Sequence, residues 1–199
     1  MVINKQAFVD MKVEKKWSFR MAKRILIVGG VAGGASAAAR LRRLDENATI
    51  VLFERGPDVS FANCGLPYYL GGEIKERGKL LVQTPQKLAA NLNLDVRVRS
   101  EVIAILRDKK VIQVRNLQTN VIYEEAYNTL ILAPGAAPII PPIPGIEKAG
   151  IFSLRNLVDT DRIHNWVQNQ QGKKAVVVGG DSLALRWQSN LKSAALKLL

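Results

Sequence analysis

The chain has 199 residues, enough for one or two domains, and its 48% hydrophobic content suits a folded protein with a real core. No run of about 18 apolar residues is present, which excludes a membrane-spanning helix, and the lysine-rich residues 1–20 lack the apolar stretch of a secretory signal. A single cysteine excludes an internal disulfide and suits a reducing, cytoplasmic compartment, while the net charge of +12 comes without the interleaved aromatic and basic residues of a nucleic-acid surface. Two readings of that excess stay open: solubility, or attraction of an anionic small molecule.

In chain order, residues 1–20 read as a poorly ordered appendage, with Met21 a natural start for the folded chain. Residues 25–28 are fully apolar, as in a strand buried on both faces. Glycines follow at once: Gly29 and Gly30, then Val31 and Ala32, then Gly33 and Gly34. Residues 35–44 form an uninterrupted helix pattern. Strand, glycine turn and helix N-terminus in this order make a cradle for a pyrophosphate, because bare backbone N–H groups and the helix dipole face the negative charge. In the G-x-G-x-x-G frame Gly29 and Gly34 hold the outer places and Val31 the middle one, so the backbone approaches a diphosphate less closely there. A second apolar strand, 49–53, ends in Glu54, about 20 residues beyond Gly34, where an acid accepts hydrogen bonds from a ribose 2′-hydroxyl.

Arg55-Gly56-Pro57-Asp58 is a turn, and residues 85–91 read as a short helix. Four short alternating segments, 95–98, 101–106, 110–115 and 121–125, predict an antiparallel meander. Residues 129–133 read as another buried strand closing on Pro134-Gly135, and the proline-rich run 138–144 marks a crossover between domains. Residues 159–171 read as a helix with Trp166 in the core and His164 in a structural or exposed place, and 174–178 begins a second strand that ends in Gly179-Gly180. The expected architecture is α/β. A Rossmann-like domain (parallel sheet plus antiparallel meander) fills 21–150, the start of a second Rossmann-like domain fills 151–180, and an aberrant tail fills 181–199.

Four separated stretches carry a specific resemblance: residues 29–43, Ser60-Phe61-Ala62-Asn63-Cys64-Gly65-Leu66-Pro67-Tyr68-Tyr69, residues 127–135, and Leu154-Arg155-Asn156-Leu157-Val158-Asp159-Thr160-Asp161. Together they resemble the pyridine nucleotide–disulfide oxidoreductases. The likeness is strongest to the single-cysteine branch of coenzyme A–disulfide reductases, coenzyme A–persulfide reductases and NADH oxidases. It implies FAD at the first glycine turn and NAD(P)H at the second. By position, Gly29, Gly30, Val31, Ala32, Gly33, Gly34, Glu54 and Arg55 hold the ADP half of FAD. Ala133, Pro134 and Gly135 form a second flavin-contact loop, with Pro134 where many relatives have Thr, and Gly179 and Gly180 belong to the NAD(P)H turn.

The resemblance also implies that Cys64 is the redox-active residue, cycling between thiolate and a mixed disulfide with coenzyme A. With no second cysteine in the chain, the substrate supplies the other sulfur. Ser36, Arg40, Arg43, Ser60 and Asn63 match positions that hold the substrate. Arg40 and Arg43 lie three apart on one helix face and are suited to phosphates. The partner expected is a small molecule, coenzyme A disulfide or persulfide, with no nucleic acid, no membrane and no metal, and a homodimer for a full-length relative. The rival readings are an NADH oxidase or peroxidase working through a Cys64 sulfenic acid, and an inactive remnant. After Gly180 the family pattern breaks off. A shifted frame across codons 180–189 permits Gly-Phe-Ile-Gly-Leu-Glu-Met-Ala-Glu, and Trp187 into Gln188 forces the alanine. The expectation is therefore a frameshifted tail and a 199-residue chain that retains FAD weakly or not at all and does not turn over.

Overall fold

The structure, a computed structural model, describes residues 23–170, 174–178 and 197–198. The expected extension 1–20, the glycines Gly179 and Gly180 and nearly all of the tail lie outside the described residues.

Strand β1 (Arg24–Val28) is the centre of a four-stranded parallel sheet in the order β3-β2-β1-β7, with β2 at Thr49–Phe53, β3 at Asp95–Arg97 and β7 at Thr129–Leu132. The continuous apolar run of β1 is explained by what lies on its two sides. Ile25 and Ile27 point to a layer made by α1 (Ala32–Leu44) and α3 (Pro85–Leu92), where they meet Ala35, Ala38 and Leu88. Leu26, between them, points the other way, with Val51 and Phe53, onto Ile112 and Val114 of a three-stranded antiparallel meander. That meander is β4 (Ser100–Leu106), β5 (Val111–Asn116) and β6 (Ile122–Ala126). Helices, parallel sheet and meander thus form three layers around one strand, which matches the α/β architecture read from the sequence.

Two strand expectations need correction. The segment at 95–98 does not join the meander: β3 pairs parallel with β2, Val51 opposite Asp95. The reason lies on either side of it. Helix α3, N-capped by Thr84 and ended by Asn93 in the left-handed region (φ 47°), returns the chain beside β2. Arg99, also left-handed at φ 51°, then turns it into the other sheet. Strand β7, predicted buried, is only half-buried, with Leu132 56% exposed, because it is an edge of the sheet.

A third cluster gathers Leu66 and Leu70 of α2 (Leu66–Leu70), Leu80 and, from α4 (Leu157–Gln170), Leu157. Helix α4 starts in a reciprocal cap. The Asp159 amide donates to Asn156 Oδ1 at 2.9 Å, and Asp159 Oδ2 accepts from the Asn156 and Arg155 amides. Trp166, predicted in the core, is 36% exposed and packs edge-on against Phe152, because it stands on the face of α4 away from α2. His164 stacks on Tyr69 of α2. Strand β8 (Lys174–Ala175) pairs parallel with β9 (Lys197–Leu198).

Candidate functional site

The glycine turn lies at the carboxyl end of β1, where open parallel sheets bind their ligands. Gly29 has φ +96°, and a Cβ there would stand 2.0 Å from the carbonyl oxygen of Ala133 on the neighbouring strand. Gly34 is tighter: a Cβ would stand 1.7 Å from the Gly29 carbonyl oxygen. These two outer glycines let strand, turn and helix close on one another. A Cβ on Gly30 would press on Leu52 and Val59, whereas one on Gly33 would make only an ordinary 3.5 Å contact with Ala133. Helix α1 begins at Ala32, three residues before the predicted start, so Gly33 and Gly34 lie in its first turn. Val31 is its N-terminal flanking residue and gives no side-chain cap.

Glu54 holds this turn in shape. Its Oε2 accepts the Gly30 amide at 2.7 Å and its Oε1 accepts the Gly56 amide at 2.7 Å. One carboxylate therefore ties the glycine turn to the turn after β2. The sequence assigned Glu54 to a ribose hydroxyl; the structure gives each oxygen a backbone donor first, and a carboxylate oxygen keeps a second lone pair for a ligand.

A cleft of about 420 Å³ opens above the strand ends. Its floor is Val31, Ala32 and Gly33. One wall is Glu54 to Asp58 with Phe61 and Asn63, and the other is Ala133, Pro134 and Gly135. The α4 start closes it with Arg155 to Asp159 and Arg162. Arg155 donates through Nε to the Ala136 carbonyl at 2.9 Å and sets its guanidinium beside Gly135. The three acids of the cleft already have donors. Glu54 and Asp159 accept backbone amides, and Asp58 pairs with Arg77 at 3.0 Å. Arg55, Arg155 and Arg162 stand in the same lining, so guanidiniums and carboxylates are equal in number around the cleft.

The cleft thus gathers Val31, Ala32, Gly33, Glu54, Arg55, Asn63, Ala133, Pro134 and Gly135 from the residues singled out in the sequence. Gly29, Gly30 and Gly34 frame it from below. Cys64 does not line it. The thiol is exposed on the short turn Asn63–Gly65, one residue from the lining Asn63, and α2 starts just after it. The side-chain oxygen of Asn63 is buried without a hydrogen-bond partner, an acceptor suited to a ligand N–H or O–H. Ser60 serves through its backbone. At φ 47° it donates to the Gly30 carbonyl and accepts from the Val82 and Gln83 amides. Ser36, Arg40 and Arg43 lie on exposed positions of α1 outside the cleft lining.

Sequence reasoning missed Asp58, Phe61 and Arg162 as cleft residues, and used Arg155 to Asp159 only as a family signature. Nothing local marks them. Asp58 and Phe61 follow the turn after β2, and Arg155 to Asp159 and Arg162 reach the cleft because the exposed run 138–144 carries the chain back across the sheet's carboxyl end. Among the described residues no cluster of metal-ligating side chains occurs, and no helix is long and apolar enough to cross a membrane.

Comparison with known proteins bears on this geometry. The model of the family described as pyridine nucleotide-disulphide oxidoreductase matches residues 23–196. A coenzyme A disulfide reductase of Staphylococcus haemolyticus is 41% identical over 174 residues, covering 87% of this chain and 39% of that protein. Among solved structures, reduced Bacillus anthracis CoADR-RHD superposes with a TM-score of 0.87 at 51% identity, covering 89% of this chain and 32% of the other. A NAD-dependent persulfide reductase from A. fulgidus superposes with a TM-score of 0.83 at 32% identity, covering 88% of this chain and 32% of the other. The chain therefore spans about two fifths of the length of the Staphylococcus relative. A match over nearly all of 23–196, on a glycine turn whose outer residues admit no side chain, fixes the kinship: the chain belongs to the pyridine nucleotide–disulphide oxidoreductase family.

Proposed function

We propose that this chain forms the flavin-binding part of an NAD(P)H-dependent oxidoreductase acting on a coenzyme A disulfide or persulfide, with Cys64 as its reacting thiol. The observation that carries the reading is the pairing of the cradle with the turn at Asn63–Gly65. The same cleft is lined by the glycine turn and by the residue preceding Cys64. The names of the Staphylococcus and A. fulgidus relatives support the substrate class.

Val31, Ala32, Gly33 and Gly34 fit a diphosphate at the helix start, and Gly29 and Gly30, whose amides are given to Phe53 and Glu54, shape the turn that presents them. Glu54 fits a ribose, and Arg55, Ala133, Pro134 and Gly135 fit the rest of FAD along the opposite wall. Gly179 and Gly180 are assigned to the nicotinamide nucleotide, with 151–180 as the opening of that second lobe. When bound, the flavin would supply the two electrons, taken from NAD(P)H, that cleave the Cys64–coenzyme A disulfide, returning Cys64 to its thiolate and releasing the second coenzyme A thiolate. The step the protein performs is an exchange: the Cys64 thiolate bonds to one sulfur of coenzyme A disulfide, the substrate's S–S bond breaks, and one coenzyme A thiolate leaves. Arg40 and Arg43 on α1 are assigned to the substrate's phosphates, with Ser36, Ser60 and Asn63 along its path.

Mass spectrometry of the chain incubated with coenzyme A disulfide tests this directly. The expected result is one coenzyme A adduct, at Cys64, absent in Cys64→Ser. A wild-type chain that takes up no coenzyme A but gains one oxygen from peroxide assigns Cys64 to sulfenic acid chemistry instead. The 199-residue chain alone is proposed to form the adduct without turning over. Catalytic oxidation of NAD(P)H by this purified chain with added FAD overturns that part.

A further inference from the structure

We propose that Arg77 is a positioning residue for the Cys64 turn, fastening it to helix α4 at the entrance of the second lobe. The proposal rests on Cys64 being the reacting thiol. Arg77 opens a single 3₁₀ turn, Arg77–Leu80. Its Nε donates to both carboxylate oxygens of Asp161 on α4 at 2.9 Å, and its Nη2 donates to Asp58 Oδ2 at 3.0 Å. One planar guanidinium thereby joins the wall of the cleft to α4, a geometry that a fork of donors can make and a point charge cannot.

Three residues on, the same turn delivers Leu80, fully buried, onto the cysteine turn from below. The Ala62 amide donates to the Leu80 carbonyl at 2.8 Å. A Cβ on Gly65 would stand 2.7 Å from Leu80 Cδ2, so Gly65 is the residue that lets Leu80 seat there. The residues on both sides of Asn63 and Cys64 are therefore set by Leu80. Leu80 is set by a turn whose first residue is held by two carboxylates, one of them from beyond the domain crossover. Phe61 also bridges Leu81, extending the seam to the cleft wall. Arg77 is not itself in the cleft lining and reaches the cleft wall only through Asp58; its effect on the cysteine turn passes through Leu80.

A single-turnover exchange on the 199-residue chain reads this without any cofactor. Coenzyme A disulfide is varied to saturation, and the limiting rate and half-saturation are measured for wild type, Arg77→Gln and Asp161→Asn. A small disulfide, 2-hydroxyethyl disulfide, reaches the exposed thiol from many directions and serves as the undemanding probe. In Arg77→Gln the limiting rate with coenzyme A disulfide is expected to fall about tenfold, with half-saturation and the small-disulfide rate within about twofold of wild type. Asp161→Asn is expected to move in the same direction by less. Arg42→Gln is the control for general loosening, since Arg42 ties α1 to α3 through the Leu92, Asn93 and Glu46 carbonyls, away from the cysteine turn.

Equal falls with both disulfides, no fall, the same pattern in Arg42→Gln, or loss of native circular dichroism in both Arg77→Gln and Asp161→Asn overturns the proposal. A wild-type chain that forms no coenzyme A adduct refutes the substrate reading instead. Amide exchange at Ala62 then decides on Arg77: faster in Arg77→Gln but not in Arg42→Gln sustains it, and unchanged exchange overturns it.

Discussion

Gly33 and Gly34 are neighbours in one helical turn and have opposite reasons to be glycine. At Gly34 an added methyl collides with the backbone of Gly29, which no rotamer change relieves. At Gly33 it meets only another methyl at ordinary distance. Gly34→Ala is expected to cost about 3 kcal/mol or more by forcing the turn open. Gly33→Ala is expected to keep the fold and to gain about 0.5 kcal/mol from helix propensity. Urea denaturation of the two variants checks both signs. The sequence made the glycine run legible as a strand–turn–helix cradle, because strand, glycines, helix and acid occur in one order. It did not rank the glycines, since that ranking depends on how the turn folds Gly34 back onto the Gly29 carbonyl while leaving Gly33 at ordinary distance from Ala133. The sequence also assigned Glu54 to a ligand and left its structural task invisible, because the two amides it accepts come from turns that only folding brings together.

Among the elements, those with a strong period and a clear cap were legible: β1, β2, α3 and the core of α4 fall within a few residues of their predicted bounds. Sheet membership was not. Asp95–Arg97 alternates as well as a meander strand does, and alternation reports burial on one face without naming the partner. The partner is chosen by α3 and by the left-handed Arg99, neither of which leaves a glycine to announce the turn. The meander itself is anchored through β5, whose Ile112 and Val114 are fully buried against the parallel sheet. Ile112→Ala is expected to cost about 3 kcal/mol, with the loss read as a lower urea midpoint. An exposed meander position such as Ile103, on β4, is expected to change stability by less than about 1 kcal/mol in the same assay.

For the whole molecule, sheet and meander are joined by charge as well as by apolar contact. Glu125 of β6 accepts from Arg24 of β1 and from Arg97 of β3, and Arg97 also lies over the rings of Phe53 and Tyr123. Burial works against the Glu125 charge, but the two guanidiniums outweigh it and hold its carboxyl below the ordinary value of 4.5. The pH dependence of this network comes from the Glu125 carboxylate. Its stabilising effect is complete above pH 4.5 and drains away as the pH falls towards the lowered value. The midpoint of thermal unfolding is therefore expected to drop through that acid range, and Glu125→Gln to start lower at neutral pH and show a shallower acid limb. An identical acid limb in the variant excludes this network as its source.

The meander leaves the parallel sheet after β3 and returns to it at β7, and these are the sheet's two outermost strands. It is a strap buckled across the full width of a plate. Sliding one edge strand past the other would have to stretch it, so the plate bearing the glycine turn moves as one piece. Whatever breathing admits a ligand is left to the opposite side, where a single helix rests on a few leucines and one forked cation.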